Sequence, residues 1–171
     1  MISIIKAGEN DSTLLSELAK ITFMESHGHS ARSEDINSYV SEKYNESVIQ
    51  QELRDLQNLY HIINYNNKPA GYSKIIFDLP YTNSSIRNIA KLERLYLLKE
   101  FHDLKLGFEL FQFNITLAKK NNQSGIWLYV WKENQKAIDF YLKTGFHIIG
   151  SYNFKISETH SNPNHQMFFG F

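Results

Sequence analysis

Apolar positions along the chain change period several times, and each change marks an element. Leu14, Leu15, Leu18, Ile21 and Thr22 recur at the spacing of one helix face, behind the cap-type residues Asn10, Asp11 and Ser12. A short strand over Ser3–Lys6 precedes them. The stretch Ser-His-Gly-His-Ser at 26–30 breaks the helical pattern. A second helix is expected after Ser33, with Glu34 and Asp35 in the first turn, where the helix dipole favours acids. Tyr44-Asn45 is a break, and Ser47–Leu56 a further short helix. Leu59–Tyr65 reads as a strand, residues 66–69 as a turn, and Ala70–Asp78 as the returning arm of a hairpin.

The stretch from Lys91 to Gly145 carries the strongest signals. Lys91–Lys99 is β-compatible, with apolar residues on both faces. Leu106, Leu110, Phe113 and Leu117 keep helical spacing. Gly125–Trp131 contains an unbroken run of apolar, β-branched and aromatic residues, the mark of a strand buried on both faces. Asn134 opens another helix, Lys136–Thr144, with Ala137, Phe140, Tyr141 and Thr144 on one stripe. Gly145 stands where a left-handed C-cap ends such a helix. Phe146–Ile156 reads as a long strand, Ser157–Asn164 as a polar connection and His165–Phe171 as the last strand. The sum predicts an α/β (α+β) fold: one domain over 1–171, with a mixed, mostly antiparallel sheet and helices on both faces.

Composition narrows the partners. The chain has 171 residues, 42% of them hydrophobic, and a formal net charge of zero. Zero net charge gives no ground for nucleic-acid or membrane binding. No apolar run is long enough to span a bilayer, and the N-terminus lacks the pattern of a secretory signal. Cysteine is absent, which permits a reducing, cytoplasmic setting and excludes thiolate metal sites. His27 and His29 form an H-x-H pair without a placed carboxylate, so no metal is expected. The charge is uneven. Residues 25–55 hold seven acids and three bases, whereas 91–143 hold nine bases and six acids. A basic half suits a phosphate-bearing cofactor and an acidic half a cationic acceptor; two ordinary solvated surfaces are the simpler alternative.

The run LERLYLLKEFHDLKLG, then IWLYVW, N-x-K-A-I-x-F-Y and T-G-F, resembles the acetyl-CoA-binding core of the GNAT N-acetyltransferases. The resemblance is close over Lys91–Gly150. Within that superfamily, ITFMESHGHS and KPAGYSKI make the chain most similar to bacterial polyamine (spermidine/spermine-type) N-acetyltransferases. It implies a sheet of about seven strands, in which Lys91–Lys99 and Gly125–Trp131 splay to admit the cofactor's pantetheine arm. It implies acetyl-CoA as cosubstrate, a small-molecule amine as acceptor and direct attack in a ternary complex; a homodimer stays open.

The resemblance also implies the site residues. The family's pyrophosphate loop falls on His102, Asp103, Leu104, Lys105, Leu106 and Gly107. Its last glycine is kept as Gly107; its first anchor and middle glycine are replaced by His102 and Lys105. Lys105 is expected to avoid a positive φ and to turn its ammonium outward. Main-chain groups of Leu95, Leu97 and Lys99 would pair with pantetheine, and an N–H near Leu97 would bond the acetyl oxygen. Asn134 would cap its helix and touch the cofactor. Tyr141 matches the family's general acid, with packing in the apolar stripe as the alternative. Glu93 would accept the amine's proton, or serve as a plain ion-pair partner. Glu25 and Trp131 would line the acceptor pocket. Two other functions stay open: a non-catalytic acyl-CoA sensor with a degenerate loop, and a peptide or protein N-acetyltransferase.

Overall fold

Seven strands and five helices alternate along the chain: β1 (Ile2–Lys6), α1 (Ser12–His27), α2 (Ser33–Lys43), α3 (Glu46–Arg54), β2 (Leu59–Tyr65), β3 (Lys68–Ile76), β4 (Ala90–Leu97), α4 (Leu106–Lys120), β5 (Gly125–Trp131), α5 (Gln135–Lys143), β6 (His147–Lys155) and β7 (Ser161–Gly170). The computed structural model describes all residues, 1–171. The strands share one sheet in the order β1-β2-β3-β4-β5-β7-β6. Antiparallel ladders join β1 to β2, β2 to β3, β5 to β7 and β6 to β7. The parallel ladder of β4 with β5 pairs Ala90 with Ile126 and Lys91 with Trp127. This is the mixed, mostly antiparallel sheet that the sequence predicts. No helix is long and apolar enough to cross a membrane.

The chain divides into two compact units. The first joins Met1–Ile75 to Arg94–Asn114. Its hairpin turns on Asn66 and Asn67, at φ 48° and 63°. That is the left-handed pair a two-residue turn needs to match strand twist, and asparagine tolerates it best after glycine. Helix α1 buries Leu15, Leu18, Ala19, Thr22 and Phe23; of the stripe read from the sequence, Leu14 is only half-buried and Ile21 is exposed. Ile63, Ala70, Phe101, Leu106 and Leu110 form a core cluster, and Leu95, Leu97 and Leu98 of the β4 region pack against it.

The second unit joins Ile76–Glu93 to Ile115–Phe171. Strand β5 is buried along nearly its whole length, as its apolar run requires. At Gly125 a Cβ would stand 2.6 Å from the Phe169 carbonyl oxygen, so only glycine lets β7 close in. Helix α5 ends as expected on Gly145, at φ 109°. Gly145 N–H bonds Leu142 O at 3.2 Å and Phe146 N–H bonds Tyr141 O at 3.0 Å. The rings of Tyr141 and Phe146 meet at 5.3 Å, the apolar contact that accompanies this Schellman closure. The expected bounds of β3 and β4 shift by up to two residues, and those of β7 need a larger correction. The residues 161–164, expected as loop, are the first part of β7, pairing with Asn153–Lys155 and Tyr152 of β6. Asn162 and Asn164 are buried there, so the strand's inward face is polar and carries no hydropathy signal.

Candidate active site

The chain between β4 and α4 turns through a 3₁₀ segment, Lys99–Phe101, and then a loop, 102–105. In that loop Asp103 and Lys105 sit at φ 67° and 60°. This overturns the expectation for Lys105. The position needs the left-handed conformation that glycine adopts freely, and lysine holds it at a cost of about 1 kcal/mol. Its side chain is exposed, as expected. The backbone course is therefore that of a glycine loop, reached without the glycine. Phe108 N–H and Glu109 N–H both bond Lys105 O, at 3.0 and 3.1 Å. The amides of Leu104, Lys105, Leu106 and Gly107 make no backbone bond. Four consecutive donors without a backbone acceptor thus stand at the positive end of the α4 dipole, an arrangement that suits an anion. At Gly107 a Cβ would meet only Leu97 Cδ1, at 3.5 Å. The protein itself would accept a side chain there; the absent Cβ leaves room on the outside.

Two expected contacts are spent internally. His102 turns back and its Nε2 donates to Leu97 O at 3.2 Å, so its ring anchors the loop to β4. Lys99 N–H donates to Glu25 Oε2 at 2.8 Å. That removes the Lys99 amide from the pantetheine set and gives the Glu25 carboxylate a partner other than an acceptor amine. Leu98 N–H bonds Ala70 O at 2.9 Å, toward β3. Backbone groups alternate along a strand, so the N–H groups of Leu95 and Leu97 point away from β3.

The residues alternating with those leucines face a polar cluster that sequence reasoning missed. Arg94 Nη1 donates to Glu52 Oε2 at 3.2 Å, and Lys74 Nζ to the same oxygen at 2.9 Å. Tyr60 hydroxyl also donates to Glu52, and the Arg94 guanidinium lies 5.0 Å over the Tyr44 ring. Burial alone would push the Glu52 carboxyl up, but Arg94 and Lys74 outweigh it and hold it below its usual value. Beside this cluster, His27 Nε2 stands 3.4 Å from the Tyr96 hydroxyl. Of the acidic excess between residues 25 and 55, Asp35 pairs with Arg32 at 2.9 Å and Glu46 accepts from Thr13 at 2.7 Å.

In the second unit, Asn134 caps α5: its Oδ1 accepts Ala137 N–H at 3.2 Å. Tyr141 is buried, and burial pushes its phenol above its usual value, so it stays protonated at neutral pH. Glu93 lies 3.4 Å from Lys91 Nζ, whose charge sits 5.1 Å over Trp127 and 5.4 Å over Tyr129. Trp131 is buried, in the manner of a core residue. No group of three or more His, Cys, Asp or Glu is placed to hold a metal ion.

Residues 21–146 match the model of the acetyltransferase (GNAT) family. The chain belongs to that family. It is an acetyl-CoA-dependent N-acetyltransferase of the GNAT type. An uncharacterized N-acetyltransferase in the pepI 3′ region of Lactobacillus delbrueckii subsp. lactis is 26% identical over 144 residues, 84% of this chain and 83% of that protein. Among solved structures, the PaiA N-acetyltransferase from Thermoplasma acidophilum in complex with coenzyme A superposes with a TM-score of 0.81. It is 23% identical, over 100% of this chain and 99% of that one. The ribosomal-protein-S18-alanine N-acetyltransferase from Escherichia coli gives a TM-score of 0.73 at 16% identity, over 99% and 94%. The GNAT fold is thereby shared with an enzyme named for a ribosomal-protein acceptor.

Proposed function

We propose that this GNAT enzyme acetylates a small primary amine, with polyamines as the first acceptor class, and that residues 1–171 act as one catalytic domain in the cytoplasm. The observation that carries the donor half is the row of four open amides from Leu104 to Gly107. They would take the pyrophosphate of acetyl-CoA, with the exposed Lys105 ammonium adding charge. Leu95 and Leu97 would pair with the pantetheine arm, and the Leu97 N–H would stabilise the oxyanion as the amine attacks the thioester carbon. The thioester C–S bond then breaks. Tyr141 gives its proton to the departing thiolate, and the ammonium nitrogen loses one toward Glu93, directly or through water. Excess acid over base in residues 25–55 supports a cationic acceptor. The test is release of free thiol from acetyl-CoA with a panel of polyamines, amino acids and peptides. Release above the amine-free control, greatest with polyamines, is expected. Greatest release with a peptide would move the acceptor class, and none with any amine would leave only a binding domain.

A further inference from the structure

The two faces of β4 carry different side chains. Leu95 and Leu97 pack toward Leu106 and Leu110, at the base of the open amides. Arg94 and Tyr96 alternate with them and face the polar cluster. Two contacts tie the end of α1 to this end of β4: Glu25 with the Lys99 amide, and His27 with the Tyr96 hydroxyl. Tyr96 is only half-buried, so its phenol can be reached. Next to it stands Tyr72, with ring centroids 6.0 Å apart. Tyr72 is fully buried, yet its hydroxyl has no hydrogen-bond partner in the protein. Buried hydroxyls are almost always bonded, and an orphan beside an accessible phenol points to a polar group that arrives from outside.

Resting on the acetyltransferase reading above, we infer that the acceptor amine is bound by the hydroxyl oxygens of Tyr96 and Tyr72, with His27 as the positioning residue that orients Tyr96. A primary amine that has lost its extra proton keeps two N–H groups and one lone pair. Two oxygen acceptors fix the N–H groups and leave the lone pair for the thioester carbon. Tyr96 serves best if its own proton points elsewhere, and His27 Nε2 takes it. That requires a neutral imidazole with its proton on Nδ1. Burial, aided by the charge of His29, lowers His27 to about 4, so the ring is neutral at pH 7. His27 is also fixed from behind by Phe23, with ring centroids 4.9 Å apart. The signal in the sequence was the His-Gly-His stretch, but its partner lies 69 positions away.

The test is calorimetric titration of spermidine and, separately, n-butylamine into the complex of the enzyme with coenzyme A, with melting curves for each variant. Tyr96→Phe should bind the amine up to about tenfold more weakly, the loss of one hydrogen bond, while coenzyme A affinity stays within about twofold. His27→Leu should reproduce that loss, and His27→Gln, whose Oε1 can stand in for Nε2, should recover most of it. Tyr72→Phe separates binding from structure. Deleting an unbonded buried hydroxyl leaves the melting temperature equal or higher, yet amine binding should still fall. Equal amine affinity in wild type, Tyr96→Phe and Tyr72→Phe would overturn the inference. A wild type that binds coenzyme A but neither amine would overturn it together with the acceptor class, and leave the donor half standing. A wild type that does not bind coenzyme A would sink the parent reading itself.

Discussion

Helices α4 and α5 begin in opposite ways. At α5 the chain closes its own end, with Asn134 Oδ1 on the Ala137 amide. At α4 two non-glycine residues, Asp103 and Lys105, stand at positive φ, and the amides of Leu104 to Gly107 make no backbone bond. A helix start that needed only stability would be built like α5, because a good cap is worth about 1 kcal/mol. The start of α4 bears backbone strain instead, at Asp103 and Lys105. The difference fits the proposed roles, in which α4 would contribute backbone to the reaction and α5 a side chain, Tyr141.

Substitutions can break this contrast. The largest effect is expected from Tyr141→Phe, which removes a proton donor but keeps the ring against Phe146. Turnover should fall by about 10²–10⁴ with acetyl-CoA affinity nearly unchanged, measured by steady-state kinetics and calorimetry. Equal turnover would remove the phenol from the mechanism. Gly107→Val should do the reverse and nearly abolish acetyl-CoA binding. Gly107→Ala sharpens it: the new methyl meets only Leu97 Cδ1 at 3.5 Å, so the fold should hold while affinity still drops by about tenfold or more.

Asn134→Ala should lower stability by about 1 kcal/mol in urea unfolding. Lys105→Gly should raise stability by up to about 1 kcal/mol, because glycine relieves the positive φ. Its affinity for acetyl-CoA should be similar or modestly weaker, through loss of the ammonium. A Lys105→Gly enzyme that binds much more tightly would show that the loop is damaged rather than adapted. The smallest effect is an absence of change. Burial raises the Tyr141 phenol, and a general acid works in its protonated form. Thus kcat should show no falling limb from Tyr141 up to pH 10, the phenol's ordinary value.

The same two helices show what the chain makes legible. Strands Leu59–Tyr65 and Gly125–Trp131 were readable to the residue, because burial on the sheet writes itself as apolar runs. The α5 boundaries were readable because asparagine and glycine do local work there. Lys105 was not: lysine has no preference for positive φ, and the surrounding fold imposes it. Glu25 was visible as an acid near the acceptor region, but its bond to the Lys99 amide spans 74 positions. The Glu52–Arg94 pair spans 42, and nothing local joins them. Asn162 and Asn164 reversed the usual code, since polar side chains face inward in β7.

The central claim is that the amides of Leu104 to Gly107 are left open for the cofactor's phosphates. Backbone amide resonances, followed by NMR as coenzyme A is added, test it most directly. The account predicts that Leu104, Lys105, Leu106 and Gly107 shift downfield and exchange more slowly with solvent once coenzyme A is bound, as newly made hydrogen bonds require. Saturation with coenzyme A that leaves those four amides unmoved would contradict it.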